Sequence, residues 1–165
     1  MKAGAKINIE LSDFKLTEQT FRKLMRASRL IRQIMEPFFE SHGISVSQWV
    51  VMCNLFDWEG KTGNPVRLVD LSNQMLIRQP TLTVVVTKLV LQGLVERVML
   101  PGDRRERRFR LTPQGKELIA QLSDLCQDKI KSLLSPWDVQ EKQQALELLK
   151  KLVGELEVYV QSEMK

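Results

Sequence analysis

Between Leu100 and Gly115 the chain reads LPGDRRERRFRLTPQG, so that Arg104, Arg105, Arg107, Arg108 and Arg110 fall within seven positions. A guanidinium is a rigid fork of N–H donors that stays charged near neutrality, and it suits phosphate or carboxylate oxygens taken two at a time. Asp103 and Glu106 stand among the arginines, and a carboxylate beside Arg105 can hold its guanidinium in one orientation before a polyanion arrives. A second set lies upstream in RQPTLTVVVTK, where Arg78, Gln79, Thr81, Thr83, Val84, Thr87 and Lys88 alternate with aliphatic positions. Glutamine can bond adenine N6 and N7 together, threonine a base edge or a phosphate, and an exposed valine a thymine methyl. Taken singly, each set also reads as an ordinary solvated surface.

Charge along the chain favours a polyanion. The 165 residues carry a net charge of +5, and residues 61–115 hold ten basic and four acidic groups. The flanking segments carry eight against seven, and seven against nine, so all of the excess positive charge is in the middle third. Concentration of that kind marks a binding surface rather than general solubilising charge. Catalysis finds no equipment: there is one histidine, no Gly-rich phosphate loop after a strand, no HExxH helix, and no Ser or Cys beside a base. We expect no enzyme, no catalytic residue, no cofactor and no metal.

The elements that must carry these residues follow from periodicity. Few aromatic and many aliphatic residues favour helices. From about Phe14 to Ser41, Phe21, Leu24, Met25, Ile31, Ile34, Met35, Phe38 and Phe39 recur at three- and four-residue steps, which predicts a long amphipathic helix with a kink or early end at Pro37 and a stop at His42-Gly43. VSQWVVMCNLFDW predicts a second, largely apolar helix, and EGKTGNPV a loop. LVDLSNQML and QPTLTVVVTKLVLQGL read as two short helices separated by a few residues, with Leu82, Val85, Val86 and Leu89 inward and Gly93 left-handed at the end. Leu94 to Leu100 and Glu106 to Leu111 then flank Pro-Gly-Asp as a hairpin with a loop longer than the tightest kind, in which Phe109 and Leu111 face inward. Thr112-Pro113 opens one C-terminal helix and Ser135-Pro136 another, with Asp138 in its first turn.

The fold expected is mainly α with a small β wing: a winged helix-turn-helix flanked by N- and C-terminal dimerisation helices. Its divisions are a tail over 1–13, a dimerisation helix over 14–44, the DNA-binding domain over 45–112 and dimerisation helices over 113–165. The terminal helices carry more apolar surface than they can cover by themselves, which invites a second subunit. The start of the chain lacks a leader pattern and no long apolar run occurs, so a cytoplasmic protein without membrane contact is expected.

With the elements in that order, Gly93-Leu94-Val95, Asp103-Arg104-Arg105 and Arg110-Leu111-Thr112-Pro113-Gln114-Gly115 resemble the signature of the MarR family of winged-helix transcription regulators. The resemblance implies a homodimer on a pseudo-palindromic operator in double-stranded DNA, usually as a repressor released by a small molecule. It makes Arg105 the minor-groove contact, with Asp103 its partner and Arg104, Arg107 and Arg108 nearby. It also implies a site for a small aromatic or phenolic effector, for which Met35, Phe39, His42, Trp49, Met52 and Phe56 are the candidate lining; the alternative is a filled core with a surface histidine. The chain departs from the family at Val84, where many members have a basic residue, and in a longer loop at WEGKTGNP. Cys53 and Cys126 are expected as reduced, slowly reacting thiols in apolar surroundings. A winged-helix protein that binds DNA without sequence preference, or serves protein assembly, stays open as the second reading.

Overall fold

A computed structural model gives the backbone of residues 3–100 and 103–163 and the side chains of 13–99 and 107–162. Its elements are α1 (Ala3–Glu40), α2 (Val46–Thr62), β1 (Val66–Arg67), α3 (Leu68–Met75), α4 (Gln79–Leu91), β2 (Val95–Leu100), β3 (Asp103–Leu111), α5 (Pro113–Leu133) and α6 (Val139–Glu163). This is the mainly helical winged helix-turn-helix expected. It divides into two compact units, Met1–Trp49 and Val50–Lys165.

In the first unit α1 already begins at Ala3, so the expected tail over 1–13 is helical for most of its length. Ile7, Leu11 and Phe14 extend the helical spacing to that start, and no proline interrupts it. Pro37 does not end the helix early, because it lies one turn from the terminus; the Pro37 carbonyl still receives the Ser41 N–H at 3.1 Å. Gly43, at φ 78°, makes the stop: its N–H reaches the Glu40 carbonyl while the Ile44 N–H reaches that of Phe39, the paired bonds of a left-handed cap. Ser45 and Gln48 then cap α2 reciprocally, Ser45 Oγ accepting from the Gln48 N–H at 3.2 Å and Gln48 Oε1 from the Ser45 N–H at 2.9 Å. Phe14, Phe21, Met25, Ile31 and Ile34 of α1 remain exposed.

In the second unit α2 continues to Thr62, so the expected EGKTGNPV loop shrinks to Gly63-Asn64-Pro65. Gly60 is absorbed into the helix, and Thr62 closes the turn by donating to the Trp58 carbonyl at 2.9 Å. The sheet order is β1-β3-β2, antiparallel throughout, with Val66 opposite Phe109 and Val95 opposite Leu111. Leu100 pairs directly with Asp103, so only positions 101 and 102, which lie outside the described residues, separate the paired ends. The hairpin connection is therefore shorter than expected. The extra length is in β3 instead: between the Val98–Arg108 and Leu100–Asp103 pairs, Met99 alone faces residues 104–107 as a bulge.

Three residues join α3 to α4. Leu76 takes the left-handed conformation at φ 51°, uncommon without glycine, and Ser72 holds the turn from within. Its buried hydroxyl donates to the Ile77 carbonyl at 2.5 Å, and the Ile77 N–H returns to the Ser72 carbonyl at 3.1 Å. In α4, Leu82, Val86 and Leu89 are buried and Val85 half-buried. Each such side chain contributes about 1.5–3 kcal/mol on burial, enough to offset the modest helix propensity of three successive valines. Gly93, at φ 71°, ends α4 as expected. Thr112 caps α5, accepting from the Gly115 N–H at 3.0 Å. For α6 the cap is Asp138 rather than Ser135: Asp138 Oδ1 accepts from the Glu141 N–H, and Glu141 Oε2 from that of Asp138. A carboxylate two residues after the proline competes better for those donors than a hydroxyl one residue before it. Leu125 and Ile130 of α5 and Leu146, Leu149, Val153, Leu156 and Tyr159 of α6 are exposed.

Candidate nucleic-acid interface

The buried stripe of α4 determines which residues it can offer outward. Arg78, Gln79, Thr81, Thr83, Thr87 and Lys88 are all exposed, and Val84 retains 58 % of its surface. Thr83 Oγ1 donates to the Gln79 carbonyl at 2.8 Å, which fixes its rotamer and leaves oxygen lone pairs to accept from an incoming donor. The outward face is thus short, polar and apolar in patches, as the sequence implied.

The wing's arginines do different jobs. Phe109 and Leu111 are buried at 5 % and 2 %, so strand alternation holds. Arg107 is exposed on their face. Arg110 is spent across the ladder on Glu96, Nε to Oε1 at 2.6 Å. Arg108, counted among the wing contacts, is half-buried and donates to the Pro65 carbonyl at 3.4 Å beside β1. It serves the sheet edge, together with the fork of Arg67 on Asp70 at 2.6 and 2.8 Å. That fork holds the Asp70 carboxyl below the usual carboxylate range; burial opposes it, and the charges of Arg67 and then Arg108 add to it. The side chains of Asp103, Arg104 and Arg105 lie outside the described residues; their backbone is in β3.

Sequence spacing does not single out Arg97 of β2 as a site residue, yet the fold brings it there. Its guanidinium lies 5.8 Å from the Phe109 ring centroid, and with Arg107, Leu68, Thr83, Val86, Thr87 and Phe109 it lines a cleft of about 120 Å³ between α4 and the wing. The signal in the sequence is its strand parity: Arg97 shares a face with the buried Val95 two residues before it, an inward position that a cation can occupy only with a route to solvent and a ring beneath it.

The residues suggested for an effector site fall in both units. In the first, Met35 and Phe39 are buried, Phe39 stacks on Trp49 with centroids 5.2 Å apart, and exposed His42 places Nδ1 2.7 Å from the Phe38 carbonyl, which fixes the proton on that nitrogen. In the second, Met52 is fully buried and Phe56 is exposed. Burial pushes the Cys53 thiol up to about 11, aided by the charges of Asp57 and then Cys126, and burial also raises Cys126. Among the described residues no group of three or more His, Cys, Asp or Glu could hold a metal, and no helix is long and apolar enough to cross a membrane.

A three-stranded wing packed beside a short helix pair, with an exposed polar helix and cations at their junction, defines a DNA-binding winged helix-turn-helix protein. The MarR family model matches residues 44–106. The chain is 26% identical over 141 residues to the HTH-type transcriptional repressor YetL of Bacillus subtilis, covering 86% of this chain and 83% of that protein. Among solved structures it is similar to BpsR of Bordetella bronchiseptica, whose DNA binding is regulated by 6-hydroxynicotinic acid, at 25% identity and a TM-score of 0.71 over 82% of this chain and 98% of the other. It shares its fold with a mutant MarR from E. coli complexed with operator DNA, at 23% identity and a TM-score of 0.73 over 84% and 96%. Residues 44–106 thus form a winged helix-turn-helix domain that matches the MarR family model, and the chain is similar over most of its length to HTH-type transcription regulators.

Proposed function

We propose that the chain acts in the cytoplasm as a homodimeric repressor on a pseudo-palindromic operator. Two copies of α4 enter successive major grooves about ten base pairs, or roughly 34 Å, apart, and the wings reach the flanking minor grooves. Gln79, Thr83 and Val84 read bases, Arg78, Thr81, Thr87 and Lys88 flank them, and Arg104, Arg105, Arg107 and Arg97 meet the backbone and minor groove. Arg108 has a smaller share, since its guanidinium already bonds to Pro65. The observation that carries this reading is the division of α4 into a fully buried aliphatic stripe and an exposed polar one that borders the cationic cleft. Exposed apolar faces on α1, α5 and α6 support the second copy.

An effector would act by changing the separation of the two recognition helices, since tight binding needs both half-sites at once. Regulation of BpsR by 6-hydroxynicotinic acid supports a small aromatic acid as the class to try first. Met35, Phe39, His42 and Trp49 in the first unit, and Met52 and Phe56 in the second, are the residues to vary.

The test is selection of bound duplexes from a random-sequence pool, followed by footprinting. A protected site with two inverted half-sites is expected, weakened by about 1–3 kcal/mol in Arg105→Ala. Equal affinity for every duplex would sink the operator reading, and an Arg105→Ala protein that binds like the parent at all salt concentrations would sink the wing assignment. Loss of duplex affinity on adding 6-hydroxynicotinic acid or salicylate tests the effector reading, which fails if neither these nor other aromatic acids move it.

A further inference from the structure

We propose that Glu59 is a positioning residue that fixes the pose of the wing, and that the last turn of α2 is extended to deliver it. The affinity part of this proposal rests on the DNA-binding reading above; the mechanical part does not. Glu59 is only 15 % exposed at its side chain, and both of its oxygens are used. Oε1 accepts the N–H of Leu111, the last residue of β3, at 2.7 Å, and Oε2 pairs with Lys116 Nζ in the first turn of α5 at 2.7 Å. One carboxylate therefore joins the end of α2, the root of the wing and the start of the next helix.

The position is where the sheet leaves a gap. β1 is two residues long and pairs with Arg108 and Phe109, so it stops short of Leu111. Glu59 supplies the acceptor that a longer β1 would have offered. A negative group beside the first turn of α5 is further favoured by the helix N-terminus. Around it Gly63, Asn64, Pro65, Glu96, Arg110 and Pro113 border a groove of about 370 Å³, so the clasp at the root is separate from the support that β1 and the Pro65 carbonyl give further along β3.

Geometry turns this small clasp into a large effect. From Leu111 to Asp103 β3 takes eight steps, roughly 25 Å at about 3.3 Å per residue, less what the bulge takes up. A tilt of about five degrees at the root moves such a tip by about 2 Å, several times the roughly 0.5 Å within which a binding constellation must be held.

The experiment compares the full-length protein with Glu59→Ala and Glu59→Gln. The first removes both bonds; the second keeps an acceptor for the Leu111 N–H and loses the charge facing Lys116. On the duplex that the unaltered protein selects from a random-sequence pool, Glu59→Ala should bind about tenfold more weakly. Its hydroxyl-radical footprint should lose the flanking minor-groove protection while the central major-groove contacts persist, and Glu59→Gln should recover most of the loss. In the DNA-free protein, amide hydrogen exchange across β2 and β3 should quicken in Glu59→Ala while α4 is unchanged. Parental affinity together with parental exchange in β3 overturns the proposal, as does a uniform loss of footprint over both grooves. Should the unaltered protein select no duplex, the DNA-binding reading fails by itself, and the exchange measurement still decides whether Glu59 holds the wing.

Discussion

The guanidinium of Arg97 lies 5.8 Å from the centroid of the Phe109 ring directly across the β2–β3 ladder. The ring that closes the core from inside thus also carries a cation on its outer side, at the mouth of the cleft beside Thr83 and Thr87. A flat, supported guanidinium loses less freedom on meeting a phosphate than one on a free stem. Arg97→Ala should weaken duplex binding evenly across sequences and lower the slope of log affinity against log salt by about one, with little effect on sequence preference. A salt titration on two unrelated duplexes checks this. A changed preference between them would mean that Arg97 reads bases.

Gly115 sits so close to the Leu94 carbonyl that a β-carbon would overlap its oxygen, with Leu111 crowding from the other side. Neither backbone nor core can yield cheaply. Gly115→Ala should cost about 1–3 kcal/mol in chemical denaturation, the range for overpacking a tight site. Gly154→Ala, with open space around it in α6, should be neutral or slightly stabilising and serves as the control.

Asp70 supplies an acid-sensitive contribution. Its folded carboxyl titrates lower than its unfolded one, because Arg67 bonds to the charged form. Its stabilisation is therefore complete above the unfolded value, about 4, and is lost as pH falls through the folded one, where the unfolded chain binds more protons. Urea midpoints measured downward from pH 6 should fall less steeply for Asp70→Asn than for the parent below about pH 4. Parallel curves would rule out the Arg67 fork as a source of acid lability.

Cys53, with its pKa pushed up to about 11, should be a poor nucleophile in the native protein. At pH 8 roughly one thiol in a thousand is ionised at that value, against about a quarter for a free cysteine, so labelling should be roughly two-hundredfold slower than in denaturant. Asp57→Asn removes the adjacent negative charge and should quicken it. A native thiol that labels as fast as the unfolded one would disprove the burial argument.

The parts of this architecture that were legible in the sequence are those determined by neighbours. Phe109 and Leu111 follow from alternation, Gly93 from a helix that must stop, and Thr112-Pro113 from the chemistry of a first turn. What escaped depends on partners far along the chain. The extension of α2 through Gly60 to Thr62 accompanies the bond of Glu59 to Leu111, 52 residues away. Arg110 looks available until Glu96 is brought opposite it, and Arg97 looks misplaced until Phe109 lies under it. Asp138 outcompetes Ser135 by one local hydrogen-bond exchange that two adjacent capping signals could not decide between.

The hold on α4 comes almost wholly from Leu82, Val86 and Leu89, while Gln79, Thr83, Val84 and Thr87 add little to it. Foldability and vocabulary are thereby kept on separate faces of one helix. Descendants of this chain are free to exchange the outer residues singly and acquire new target sequences without first acquiring extra stability, whereas a change at any of the three anchors would cost the scaffold before it altered a single base preference.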